Sequence, residues 1–129
     1  MIDVENVVTA ALRAALPGVS VTNVVDLSKE PPPFVLVDIV GGQAVAQLSS
    51  LFWQHTVGVT AYATGRREAK TLALAAYAAL HSLPTSSQAG SAGWVNTVTD
   101  VAAPTEVRDP DKPDRVDQFT ATYAVLTRA

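Results

Sequence analysis

Residues 29–42 read KEPPPFVLVDIVGG and place a run of three prolines directly before the most hydrophobic strand that the sequence predicts. Proline fixes the backbone angle φ and lacks an N–H donor, so the triplet is excluded from helices and from the middle of a sheet. It predicts a stiff, extended lead-in of the polyproline type that sets the direction of the following strand. Residues 34–40 are apolar except for Asp38, which is typical of a strand covered on both faces. We expect Asp38 to reach solvent or to pair with a base, since a buried unpaired carboxylate is costly.

The segments before and after this strand alternate between helical and strand periodicity. Residues 4–15 repeat apolar side chains with a 3.6-residue period, which predicts a helix that Asp3 caps and that Pro17-Gly18 ends. Residues 19–27 predict a strand, and residues 52–63 show the cleanest alternation in the chain, which indicates an antiparallel strand with one polar face.

The second half of the chain predicts one more helix and two more strands. The helix starts at residues 65–68, is rich in Ala and Leu, and ends at Pro84, with a Ser/Gly-rich loop at residues 85–93. The final strands are residues 94–101 and 117–126. The order is α-β-β-β-α-β-β, which predicts a single α+β domain over residues 1–129, with a mostly antiparallel sheet and two helices packed on one face.

We predict that ten apolar residues of these elements contribute to the core. They come from the strands and from the second helix: Phe34, Val35, Leu36, Val37, Val57, Val59, Leu72, Leu80, Phe119 and Tyr123.

Two connections stand apart from these elements. Residues 41–50 are rich in small side chains and predict either a long hairpin loop or an elongated, partly paired tip. Residues 102–115 contain three prolines and alternating charges, and they predict a solvated loop because their backbone could not be satisfied in a core.

Composition excludes several classes of function. The 129 residues carry a formal net charge of −3, and the basic residues are scattered apart from Arg66, Arg67 and Lys70, which disfavours a groove that grips nucleic acid. The absence of cysteine excludes disulfides and thiolate chemistry and suits a reducing cytoplasm. The first residues lack the pattern of a signal peptide, and no apolar stretch approaches the roughly 20 residues that span a bilayer.

No pattern of catalytic or ligand-binding residues stands out. His55 and His81 are the only histidines, and they lack the close spacing of a metal site, so we interpret both as structural. Glycine-rich phosphate-binding motifs are absent. The aromatic residues Trp53, Trp94, Tyr77 and Tyr123 could form a stacking platform for single strands, but each lies on an apolar face where core packing is the simpler interpretation. From these residues we expect no catalytic, cofactor or metal site, although a two-histidine metal site or a Ser-His-Asp arrangement stays open at this point.

The order of motifs resembles the tail terminator, or tail completion, proteins of long-tailed bacteriophages. The resemblance rests on the segments LPGVSV (16–21), PPPFVLV (31–37), VTAYA (59–63) and RVDQFTATY (115–123), and it covers nearly the whole chain. Its signal lies in the order of the elements rather than in any one motif. Ala103-Pro104 stands where the family has Gly-Pro at the start of the last loop.

This resemblance implies a non-enzymatic subunit of a ring, taken to be a hexamer. The ring would cap the tail tube, stop its polymerisation and offer a surface to the neck proteins of the head. The implied partners are further copies of the chain, the major tail tube protein and a head–tail connector, while DNA passes through the ring without specific binding. The implied location is the head-proximal end of the tail of a virion, or of a prophage-derived particle, after synthesis in the host cytoplasm.

Two alternatives remain from the sequence: a head–tail connector or neck subunit, and a small α+β enzyme or ligand-binding dimer. For the ring we predict contacts to neighbouring subunits or tail partners from the two polar connections and from the basic start of the second helix. The predicted contact residues are Gln43, Val45, Gln47, Arg66, Arg67, Lys70, Arg108, Asp109, Asp111 and Lys112.

Overall fold

The computed structural model describes residues 3–22, 33–44, 52–86, 94–107 and 117–128, which form three helices and five strands. Along the chain these are α1 (Val4–Ala15), β1 (Ser20–Thr22), β2 (Phe34–Ala44), β3 (Phe52–Ala63), α2 (Arg66–His81), α3 (Leu83–Ser86), β4 (Trp94–Val107) and β5 (Asp117–Arg128). The strands form one sheet in the order β1-β2-β3-β5-β4. The predicted α+β fold, with its order of two main helices and five strands, is confirmed.

The register of the sheet divides its side chains between two faces. β1 pairs with β2 in parallel, and the other three pairings are antiparallel. One row of partners runs Ile39–Val57–Tyr123, and this face packs against α1 and α2. The opposite side, here called the open face, carries Phe34, Leu36, Asp38, Phe52, Gln54, Thr56, Thr60, Tyr62, Thr97, Thr99, Ala102, Thr105, Val107, Gln118, Thr120, Thr122, Ala124 and Leu126.

The core lies between the helices and the sheet. Every predicted core residue is buried except Leu36, which is half-buried on the open face, so that prediction was wrong for Leu36. Phe34 is also on the open face, yet it is fully buried and its ring stacks on Tyr62 with 4.5 Å between centroids. Full burial of one aliphatic or aromatic side chain stabilises a fold by roughly 1.5–3 kcal/mol, so the buried rows hold the two layers together.

Helix α1 begins and ends where the sequence predicts. The Asp3 carboxylate accepts a hydrogen bond from the backbone N–H of Asn6 at 3.2 Å, which satisfies one of the free donors of the first turn. Val4, Val8 and Leu12 form its buried stripe. After the helix, Gly18 adopts a φ of 81°, a conformation that glycine reaches without steric cost.

The predicted loop over residues 102–115 is wrong for residues 102–107, because β4 continues to Val107. β4 is an edge strand, and Ala103 and Pro104 together lie opposite the single residue Ala121 in a bulge. At such a position the missing N–H of proline removes no hydrogen bond of the ladder, so the strand continues through it. Residues 108–115 lie outside the described part of the chain.

Other boundaries shift by a few residues. Gly41–Ala44 pairs with β3, which confirms the partly paired tip rather than a simple loop. Residues 83–86 form the short helix α3, so the predicted loop is wrong for residues 85 and 86, and residues 87–93 lie outside the described part of the chain. Asp38 is exposed, as expected for a single carboxylate in an apolar strand. Of the predicted first strand, Ser20–Thr22 is described and residues 23–27 are not.

Candidate functional site

The three basic residues at the start of α2 are all exposed, but only one of them is paired within the described part of the chain. The Arg66 Nε donates to Glu106 of β4 at 2.7 Å, and its guanidinium lies 5.8 Å from the centroid of the Phe119 ring. Arg67 and Lys70 are exposed, and within the described residues neither makes an ion pair or a hydrogen bond. Arg66 thus fastens α2 to the edge strand, while Arg67 and Lys70 point to solvent.

The remaining predicted contact residues are only partly placed. Gln43 lies in β2 opposite Gln54, in the paired tip, and its side chain is not described. Val45, Gln47, Arg108, Asp109, Asp111 and Lys112 lie outside the described residues. Their contacts therefore stay predictions.

At its other end, α2 is fastened to β4 by a cluster of polar aromatic residues. Asp100 of β4 accepts hydrogen bonds from the Tyr77 hydroxyl at 2.8 Å and from His81 Nε2 at 2.6 Å. The hydrogen bond from Tyr77, with that from His81, holds the pKa of Asp100 below its usual range, and the same bond to Asp100 raises the pKa of Tyr77. Tyr123 lies beneath both rings, and burial raises the pKa of its hydroxyl.

This cluster contains a histidine that is oriented by a carboxylate, an arrangement that also occurs in acid–base sites. A histidine oriented by a carboxylate needs a nucleophile or a substrate proton within hydrogen-bond reach of its second ring nitrogen. Among the described residues, the His81 ring makes one hydrogen bond, from Nε2 to Asp100, and its Nδ1 makes none. Together with Arg66–Glu106, these hydrogen bonds tie both ends of α2 to the edge strand.

A groove lies where the first turn of α1 meets the far ends of β2 and β3. Its volume is about 500 Å³, and its walls are the apolar side chains of Val4, Ile39 and Trp53. Asp3 and Glu5 at the start of α1, and Gly41, Gly42 and His55 from the strands, complete its lining; Asp3 and Gly42 are exposed, whereas His55 is buried. Concave sites that hold a ligand group are commonly of this size and combine apolar walls with a few placed polar atoms.

Among the polar side chains that line this groove, His55 is the buried one. The ring is buried, and its Nε2 lies 3.2 Å from the Thr127 hydroxyl, which itself donates to the Trp53 carbonyl at 3.3 Å. Because that hydroxyl has one proton to give, Nε2 is the donor and Nδ1 is left as an acceptor. Burial lowers the pKa of His55, which favours this neutral form near neutral pH. Nδ1 faces Gly42, where a Cβ atom would lie 3.1 Å away.

The described part of the chain contains no group of three or more His, Cys, Asp or Glu residues placed to hold a metal ion. Within the same residues, no helix has the length and apolar character that crossing a membrane requires.

Sequence reasoning missed both sites because each combines distant segments. Tyr77 and His81 are one helical turn apart on α2, which was a usable signal, but Asp100 comes from another strand and nothing in its own segment marks it. The groove joins residues 3–5, 39–42 and 53–55, and only the register of β2 on β3 brings Gly42 opposite His55. The burial of His55 follows from its parity with Val57 and Val59, which the sequence did show.

Comparison with known proteins gives a fold and no family. No protein-family model matches the chain, and no curated protein sequence does. Among solved structures, the chain is similar to a chain of the virion of a native gene transfer agent (GTA) particle, with a TM-score of 0.63 and 14% sequence identity. The match covers 93% of this chain and 86% of the other. At this identity the similarity shows that the two chains share a fold.

Proposed function

We propose that this protein is a structural subunit of a phage-like particle and, more specifically, a tail terminator. The observation that carries the proposal is the fold that it shares with a virion chain over 93% of its length. The order of sequence motifs, which resembles tail terminator proteins from residue 16 to residue 123, supports the same conclusion. In this role the subunit forms a hexameric ring that caps the tail tube, ends its growth and presents a surface to the neck.

The open face of the sheet supports a subunit that is covered by neighbours. No described helix packs on this face, and among the side chains described on it Asp38 is the one that carries a charge. Threonines occupy most of the centre, and Thr60 and Thr120 hydrogen-bond across β3 and β5 at 3.0 Å. Charged residues make up about a quarter of a typical globular chain, so a broad neutral face is more typical of a surface that meets protein or lines a passage.

The charge of the chain agrees with a ring through which DNA passes. A protein that grips DNA neutralises phosphates with clustered Lys and Arg, and affinity grows with each such contact. Here the net charge is −3, and Arg66 is already paired with Glu106. We therefore propose that DNA passes through the ring without being bound specifically. The proposed protein partners are the tail tube protein and a neck protein, at the head-proximal end of the tail.

Deleting the gene from a particle-producing strain tests this role. Electron microscopy of a tail terminator deletion should show tails of uncontrolled length without heads, and adding the purified protein to polymerising tail tube subunits should stop their growth. Tails of normal length that fail to join heads would instead identify a neck subunit. Intact, infectious or transducing particles in the deletion strain would contradict any role in the virion and would favour the enzyme or ligand-binding alternative.

A further inference from the structure

We propose that the groove beside His55 receives the cationic start of α2 from a second copy of this chain, with Arg67 entering the groove and Lys70 at its rim. This proposal deepens the ring and rests on the proposed function. It names the two surfaces that meet when one subunit contacts the next.

The groove has the chemistry of a site for a cation. The neutral His55 ring offers the lone pair of Nδ1, the backbone beside it carries no side chain at Gly42, and Asp3 and Glu5 add carboxylates to the lining. The imidazole nitrogen accepts hydrogen bonds, and the two carboxylates also carry negative charge. A guanidinium supplies donors and a positive charge in one planar group, and hydrogen bonds between ionised partners are about twice as strong as neutral ones.

The apolar walls suit the rest of such a side chain. Arginine and lysine bury their aliphatic stems on apolar surface while the charged head stays with polar partners. Val4 and Ile39 supply such a surface. Trp53, which stacks on His55 with ring centroids 6.5 Å apart, offers an aromatic face that attracts a cation.

Among the described cations, Arg67 and Lys70 are the ones available for this contact. Arg13 donates to the carbonyl of Val21 at 3.1 Å, and Arg66 is held by Glu106. Arg67 and Lys70 are exposed on the first turns of α2. The place of Arg67 in the first turn is unfavourable for the helix itself, because the N-terminal end of a helix is the positive end of its dipole.

The two surfaces lie at opposite ends of the sheet. The groove is at the row of His55, and the start of α2 is at the row of Ala61–Phe119–Glu106, where Arg66 makes its contacts. On β3 these rows are separated by a length that corresponds to about 20 Å of extended strand. Two different, complementary patches on opposite ends of a subunit make a head-to-tail contact, the kind that closes into rings.

A charge-exchange experiment on the full-length protein tests the pairing. Glu5→Lys and Arg67→Glu, made separately, should each raise the subunit dissociation constant about tenfold or more, because each sets like charges against one another. The two changes together should restore assembly toward that of the wild type. Asp3 is left unchanged so that the cap of α1 is kept. Native mass spectrometry and light scattering would measure the assembly, and circular dichroism would verify that each variant is folded.

Two further variants distinguish this contact from a general effect of charge. Glu68→Lys changes the net charge as Glu5→Lys does, on the exposed first turn beside Arg67, and should leave assembly intact. Gly42→Ala adds a methyl group 3.1 Å from His55 Nδ1 without changing charge, and should weaken assembly by covering the acceptor.

Each result either supports the contact or overturns it. If Glu5→Lys and Arg67→Glu each assembled with the dissociation constant of the wild type, the proposed contact would be overturned. It would also be overturned if the two changes together failed to restore assembly that each change alone had weakened. Either result would leave the tail terminator role standing. A wild-type protein that stays monomeric and does not stop tail tube growth would overturn the proposed function, and this inference with it.

Discussion

The two main helices begin in opposite ways. α1 has a side-chain cap in Asp3 and an acidic residue, Glu5, in its first turn, so its start complements the helix dipole. α2 starts after Gly65, whose φ is 105° and which provides no side-chain cap, and its first turns carry exposed Arg67 and Lys70 beside a single acid, Glu68. The first turn of α1 therefore stabilises its own helix, whereas the first turn of α2 carries an exposed cation, Arg67, at the positive end of the helix dipole, where it does not.

This difference teaches where each helix obtains its stability. Most helical stability in proteins comes from packing an apolar face, so a poor start is tolerated when the rest of the helix is well buried. The buried side of α2 comprises Ala69, Leu72, Ala73, Ala76 and Leu80, and contacts at both its ends reach β4. Arg67 and Lys70, which these contacts do not use, are the residues for which we propose a contact outside the subunit.

The largest expected effect tests this dependence of α2 on packing. Leu80 is fully buried, and Leu80→Ala should lower the free energy of unfolding by about 2–5 kcal/mol through lost burial and the cavity left behind. Leu74→Ala is the matched control on the same helix, because Leu74 is 49% exposed and surface changes usually stay within about 0.5 kcal/mol. Urea unfolding followed by circular dichroism would measure both. Equal losses in the two variants would mean that α2 is not anchored by this stripe.

A smaller effect tests the cap of α1. Asp3→Ala removes the acceptor for the Asn6 N–H and should cost about 1 kcal/mol of stability, while Asp3→Asn keeps an oxygen in the same place and should cost much less. Thermal unfolding at low protein concentration would compare the two variants. If alanine and asparagine proved equally harmful, the loss would come from the charge at the helix start rather than from the capping hydrogen bond.

The fold was predictable to the extent that local patterns determine it. The alternation of residues 52–63 defined β3 to the residue, and the 3.6-residue spacing in α1 and the cap at Asp3 were equally clear. Pro104 misled the prediction at β4, because a proline forbids a central strand but not a bulge on an edge, and the sequence did not show which strand would be the edge. Leu36 misled the core prediction because an apolar side chain also fits a half-buried open face.

The candidate sites were less predictable because they depend on pairings between distant segments. Arg66, Arg67 and Lys70 look alike in the sequence, and only the position of Glu106 on β4 distinguishes the paired Arg66 from the other two. In the same way, His55 becomes an acceptor because Thr127 lies beside it and donates its own proton to Trp53. No single segment of the sequence contains such information.

The smallest expected effect bears most directly on the contrast between the first turn of α1 and the first turn of α2. If Arg67 is kept for a contact rather than for the helix, Arg67→Glu should stabilise the isolated subunit, by roughly 0.3–1 kcal/mol at low ionic strength, because an acid suits the positive end of the dipole. The same change should weaken assembly. Assembly itself adds to apparent stability, so unfolding must be measured by tryptophan fluorescence at concentrations low enough to keep the protein monomeric.

Two controls make this last prediction specific to charge. Arg67→Lys keeps the cation and should leave the stability of the subunit unchanged. Salt at about 1 M shortens the screening length to about 3 Å and should remove most of the gain from glutamate, since Arg67 is exposed. A glutamate that destabilises the dilute subunit would mean that Arg67 supports its own helix, and the contrast between a start built for stability and one built for contact would fail.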